Sequence, residues 1–449
     1  MNPETIVDEA ENSLRDRFLE IDKITEYNQK KVLDAFYNNK IGEEHFYTVT
    51  GYGHDDLGRE ALDKVFADTF KCESAIVRPH FVSGTHTLAC ALFGVLHYGD
   101  RLVSVAGEPY DTMQEVIGSR KCEDFDTTLI GHGVKYTEIP LKNDDVDYEN
   151  IEKYLLPDTK MVLIQRSRGY SLRKPLSISD IERIIKIVKN KNPEICCFVD
   201  NCYGEFTEAK EPTDYGADLM AGSLIKNVGG GLAPTGGYIV GNKDLVYNAA
   251  CRLTVPGLAG EMGATLGDTA REFYQGLFMA PHVVMQAVLT AVYAAAVFKK
   301  LGYKVNPMHD QLRHDIIQSI TLKSAKNLEN FCVAVQLNSP VDAHVTPVPS
   351  YIPGYQDKII MAAGTFVQGA SIELSADGPM REPYNAFMQG GLTYEHGQLA
   401  INAAARLIGP ATGKRKKVKV MGDIVMEGEK DKEVLKACEA IINAKKSYQ

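Results

Sequence analysis

Apolar residues change period along the chain. From residue 4 to 45 they recur at helical spacing among charges, with Leu14, Phe18, Ile21, Ile24, Tyr27, Val32, Leu33 and Phe36 marking one face of an amphipathic helical arm. This arm is expected to lie outside the main core. From about residue 60 the texture becomes compact apolar runs separated by helical stretches: SAIVRPHFVSG, RLVSVAG, VKYTEIPL, KMVLIQRS, ICCFVDN, DLMAGSLI and GGYIVG. Runs of this kind lack polar alternation and alternate with helices such as ISDIERIIKIVKN, which predicts a parallel sheet covered on both faces. Beyond KKLGY at 299–303 the pattern shifts to a helix at 313–331, a Pro-rich passage VTPVPSYIPGYQ, strand-like KIIMAAGTF and ASIELSA, and helices at 393–408 and 431–446. The reading is an α/β protein with a helical arm at 1–50, a large doubly wound domain at 51–303 and a smaller α+β domain at 304–449.

Bulk properties narrow the function classes. Lys and Arg number 49 against 59 Asp and Glu, a net charge of −10 that repels nucleic acid. One basic run, GKRKK at 413–417, reads as a solvated turn. Nine scattered cysteines, none spaced C-x-x-C, suggest reduced thiols rather than a disulfide framework or zinc site. The charged start MNPETIVDEAENSLRDRF has no apolar signal core, and the most apolar window, 283–298, stops short of a membrane span and contains Gln286, so a cytoplasmic location is expected. GPATGKR at 409–415 fails as a phosphate-binding loop, and the histidines show no metal spacing, so no metal is expected.

Ligands of an open parallel sheet bind beyond the carboxyl ends of its strands. After IVRPHFV the chain reads Ser83-Gly84-Thr85-His86-Thr87 into a helix, either a plain helix cap or an anion site of free N–H groups and hydroxyls. After CCFV comes Asp200, a carboxylate that needs a partner to offset its desolvation. After DLMAGSLI comes Lys226, enclosed by Gly222, Ser223, Leu224, Ile225 and Val228 and followed by glycines, a setting expected to lower its amine pKa. An anion site, a carboxylate and a secluded lysine are what pyridoxal 5′-phosphate needs for its phosphate, its ring nitrogen and its carbonyl carbon.

FVSGTHTLACALFG, GEPYDTMQEVIG, FVDNCYGEF, SLIKNVGGGLAPTGGYIVG and MREPYNAFMQGGLTYEHG together resemble the methionine γ-lyase-like family labelled aluminium resistance or cystathionine β-lyase-related, within the fold type I enzymes built like aspartate aminotransferase. The resemblance implies that Lys226 forms the Schiff base, that Asp200 pairs with the cofactor nitrogen, and that Ser83, Gly84, Thr85 and Ser223 cup the phosphate. It also implies that Tyr110 stacks on the ring, that Tyr203 bonds the ring oxygen, and that Arg381 grips the substrate carboxylate, with Arg166 and Arg168 open between substrate and phosphate. Tyr52 and Arg59 are expected to enter a neighbouring subunit's phosphate site, which makes the protein a homodimer or homotetramer. Ile225 departs from the family, which usually has a hydroxyl there. The implied activity is carbon–sulfur elimination from an amino acid, against an aminotransferase, a γ-replacement synthase or a non-catalytic stress-response binding protein.

Overall fold

The structure is a computed structural model that describes residues 14–51, 55–120, 126–171, 173–352, 355 and 357–411. All seven apolar runs form strands: β1 (Ser74–Arg78), β2 (Arg101–Ser104), β3 (Lys135–Glu138), β4 (Thr159–Gln165), β5 (Cys196–Asp200), β6 (Leu219–Ser223) and β7 (Gly237–Gly241). They make one sheet in the order β1-β7-β6-β5-β4-β2-β3. Neighbouring residues of a strand face opposite sides, and in the middle of the sheet both sides are dry. Cys197 and Val199 of β5 enter one core cluster, while Cys196 and Phe198 enter the other.

Four of the pairings are parallel, and β7 runs antiparallel to both β6 and β1. The exception has a local cause. A parallel return needs a crossover, usually a helix, whereas β6 and β7 are joined only through the glycine turn after Lys226, with a single 3₁₀ turn at Asn227–Gly229. Gly230, Gly231 and Gly236 take φ values of +54°, +74° and +97°, which glycine adopts without steric cost. A side chain at Gly230 would also meet Gly276 O at 2.3 Å, and one at Gly276 would meet Gly229 O at 2.4 Å. The glycines therefore let the lysine turn lie directly on the long helix Thr269–Lys300.

That helix has the length and composition of a membrane span, though its apolar window is mostly buried within the protein. The sequence window read at 283–298 is thus only part of a longer element, and its hydrophobicity serves the core. The N-terminal arm also differs from expectation. Helix Arg15–Asn38 places Leu14, Ile21, Val32 and Ala35 in the main core cluster, and buried Asn28 donates to the backbone oxygens of Phe206 and Glu208.

The second sheet, order β10-β11-β12-β9-β8, comprises β8 (Lys304–Asn306), β9 (Gln318–Thr321), β10 (Ile359–Ala362), β11 (Ser375–Pro379) and β12 (Asn385–Gln389), antiparallel throughout. Helix Ala325–Leu337 packs on this sheet, and helix Tyr394–Ile408 packs on that helix and on Thr269–Lys300. The helix expected at 313–331 is instead β9 followed by Ala325–Leu337, because Ser324 caps the helix by accepting from Asn327 N and so sets its start. Only the end of ASIELSA enters a strand. Tyr52, His54, the helix expected at 431–446 and most of the two basic motifs after 408 lie outside the described residues.

Candidate active site

Parallel pairing brings the strand ends to one level, with Gln165 of β4 opposite Asp200 of β5, and Asp200 opposite Ala221 of β6. Beyond them opens a cavity of about 660 Å³ whose lining includes Tyr110, Arg168, Asp200, Tyr203, Lys226 and Arg381. Six residues singled out on five separate stretches of sequence therefore meet in one space.

Lys226 Nζ lies 4.1 Å from the centroid of the Tyr203 ring. Burial alone disfavours its ammonium and is the largest single influence, but the acidic groups of Cys202, Tyr203, Asp200 and Tyr110 outweigh it and hold the amine well above the ordinary lysine range. This corrects the expectation of a lowered pKa. Burial pushes the Cys202 thiol and the Tyr110 phenol upward as well. Asp200, 5% exposed, is itself pushed up by burial and drawn back by Lys226, by the Cys202 backbone N–H and thiol, and by Arg173. Cys202 N donates to Asp200 Oδ1 at 3.1 Å.

Behind Tyr110 lies the serine-glycine-threonine turn. Ser83 caps helix Gly84–Val95 by accepting from His86 N at 3.1 Å, so the plain capping role is real. The remaining groups exceed it. Thr85 Oγ1 shares hydrogen bonds of 3.1 Å with Tyr110 OH and with Thr112 Oγ1. Ser223 is 1% exposed and its Oγ has no partner among the described residues. A Cβ at Gly84 would stand 3.1 Å from Ser223 Cβ. An unpartnered hydroxyl, free first-turn N–H groups and a space that a side chain at Gly84 would crowd are the donor set an anion takes, so these residues fit the phosphate of pyridoxal phosphate.

The arginines separate. Arg166, fully buried, bonds Asn201 Oδ1 at 2.8 Å and Glu208 Oε1 at 2.9 Å and pairs with Glu211 at 3.5 Å; it braces the loop behind Asp200 and does not line the cavity. Arg168, 1% exposed, does line it, held by Asn306 O at 3.2 Å. Arg381 sits at the rim, its side chain 57% exposed and bonded to Asp357 Oδ2 at 2.9 Å. Arg59 is elsewhere: it donates to Glu261 O at 2.7 Å and lines a separate small cleft.

Sequence reading missed several contributors. Gln165 Oε1 accepts from Tyr110 N at 2.9 Å, and the strand-end rule applied to the last residue of KMVLIQ would have found it. Arg173 donates to four backbone oxygens, those of Gln165, Arg166, Ser167 and Lys174, and so shapes the turn after β4. Ser375, Asp377, Phe387 and Gln389 enter the lining from the second sheet; Phe387 and Gln389 lie within MREPYNAFMQGG, which gave them no role.

The family model described as methionine gamma-lyase matches residues 3–408. The uncharacterized protein YnbB of Bacillus subtilis is 49% identical over 386 residues, which span 86% of this chain and 91% of that one. A solved structure from Clostridium novyi, described as a carbon-sulfur lyase involved in aluminum resistance, is 48% identical, with a TM-score of 0.86 over 90% of this chain and 94% of its own. The pyridoxal-5′-phosphate-dependent protein YhfS of Escherichia coli, at 16% identity and a TM-score of 0.58 over 85% of this chain and 95% of its own, shares the fold. The architecture is that of the fold type I enzymes.

Proposed function

This chain belongs to the methionine gamma-lyase family, and from that premise we propose that it is a pyridoxal-phosphate-dependent carbon–sulfur lyase. It would eliminate a β- or γ-substituent, chiefly a thiol, from L-amino acids and release 2-keto acid and ammonia. The observation that carries the reading is the Lys226 amine, set 4.1 Å from the Tyr203 ring in a cavity that Asp200 and Tyr110 also line.

Bound in this cavity, pyridoxal phosphate supplies an electron-accepting ring that makes the substrate α-proton removable. Ser223, Thr85 and the first turn of Gly84–Val95, capped by Ser83, would hold the phosphate, Asp200 would serve the ring nitrogen, and Tyr110 and Tyr203 would contact the ring. Lys226 would anchor the group, and its amine would be the base for the substrate α-proton. Arg168 holds the substrate carboxylate, a role its planar donors suit and its depth favours over Arg381 at the rim. Tyr110, kept protonated by burial, is placed as the acid for the departing thiolate.

Arg59 stands away from this cavity in its own chain, which supports a homodimer or homotetramer in which Arg59 and Tyr52 serve a neighbouring site. A cytoplasmic location completes the proposal. The test is to incubate purified protein and pyridoxal phosphate with a panel of sulfur-containing and γ-substituted amino acids, measuring keto acid and ammonia without an amino acceptor. Release from several members supports the lyase. Release only when an acceptor keto acid is supplied would make it an aminotransferase, and release from none would overturn the reading.

A further inference from the structure

The substrate half of the cavity has a chemistry of its own. β11 and β12 pair with Ser375 opposite Gln389 and Asp377 opposite Phe387. Residues two apart share a face of a sheet, so these four side chains point the same way, and all four line the cavity. Asp377 is the one acid among them. It is 8% exposed. Gln389 Nε2 donates to its Oδ2 at 3.4 Å and to Ser375 Oγ at 3.3 Å, and the Tyr170 hydroxyl also steadies the carboxyl. Its Oδ1 has no hydrogen-bond partner among the described residues, nor does any cation pair with it there; the nearest arginine in sequence, Arg381, is engaged by Asp357.

A thioether of simple alkyl groups has no use for such a carboxyl, because burying it against methylenes leaves its lone pairs unpaired. Burial pushes Asp377 up to about 7, so a cation placed beside it would draw the carboxyl into its charged form and be held in return. We propose that Asp377 is a specificity residue that receives a cationic nitrogen at the far end of the substrate side chain, so that the preferred leaving thiol is an aminothiol rather than an alkyl thiol. This rests on the lyase reading above. Asp377 acts on choice of substrate and Lys226 on chemistry.

Two pairs of probes test it. L-lysine and L-2-aminoheptanoate have side chains of equal length ending in an ammonium or a methyl group, and neither has a thiol to lose. Calorimetry of each with the purified holoprotein should show lysine bound at least about tenfold more tightly, and Asp377→Asn should shrink that ratio at least about fivefold. S-(2-aminoethyl)-L-cysteine and S-propyl-L-cysteine repeat the comparison in kcat/KM, and Asp377→Leu should reverse the preference. Equal binding of the first pair by the wild-type protein, or a ratio unchanged in Asp377→Asn, overturns the proposal, and the wild-type ratio decides the matter even if a variant fails to fold. A lysine preference with no keto acid from either thioether would sink the lyase reading and leave Asp377 its role. Equal turnover of both thioethers would do the reverse.

Discussion

Lys226 and Tyr203 face each other across 4.1 Å, and Tyr203 holds its side of that contact with a φ of +72°. A left-handed backbone at a tyrosine costs about 1–3 kcal/mol and persists only where its surroundings over-determine it. Here Asn201 of the same loop is held by Arg166 at 2.8 Å and donates to Glu211 at 3.1 Å. The loop that carries the ring is thus braced from behind, and the amine cannot turn away without losing its contact with Tyr203.

Replacing Lys226 with Ala is expected to remove keto-acid release and the visible absorbance of the protein–cofactor bond together. Absorption spectra of the variant with added pyridoxal phosphate check this. A retained absorbance band would mean that another amine holds the cofactor.

Ser223→Ala should separate cofactor binding from folding. Its Oγ has no partner among the described residues, so losing it should change unfolding stability by less than about 1 kcal/mol. A hydrogen bond to a phosphate is worth about 1.5–3 kcal/mol, so the dissociation constant for pyridoxal phosphate should rise roughly 10- to 100-fold. Spectroscopic titration of cofactor-free protein reads the second effect and urea denaturation the first.

Arg166→Met should act in the opposite way. It leaves Glu211, whose side chain is 1% exposed, with Lys31 at 3.7 Å as its remaining cationic partner, and uncoupling a buried pair costs up to about 3–5 kcal/mol. The midpoint of urea unfolding is expected to fall steeply. Equal stability of variant and wild type would show that the pair contributes nothing net.

Glu205 lies below the site, accepting from the Tyr238 hydroxyl at 2.8 Å, and burial pushes its carboxyl up from 4.5 to about 8. The folded protein therefore keeps a proton that the unfolded chain releases. Its contribution is complete below pH 4.5, declines as pH rises, and is lost above about 8. Between pH 6 and 8.5 the wild-type protein should lose more stability than Glu205→Gln, which has no proton to give up. Parallel urea titrations at the two pH values would show it.

How far the chain could be read in advance followed the range of the interactions involved. Six of the large-sheet strands were visible as apolar runs because a strand buried on both faces needs apolar residues at nearly every position; the edge strand β3 is polar and half-buried. Lys226, Asp200 and the Ser83-Gly84-Thr85 turn were visible for a related reason: each follows such a run, and strand ends of a parallel sheet converge. The second sheet was harder. Its strands are short and polar at the cavity, so ASIELSA and the stretch before Ala325 gave misleading local signals, and Asp377 acquires meaning only through its register with Phe387 and Gln389.

By itself, the amino-acid sequence determined the covered sheet, the strand ends that carry the chemistry and the glycines that turn the chain after Lys226, all of which depend on neighbours a few residues apart. Tertiary structure alone decided the surroundings of the Lys226 amine, the separation of Arg166, Arg168 and Arg381, and the placing of Asp377. Those outcomes depend on burial and on charges brought together from strands far apart in the chain, which no local pattern encodes.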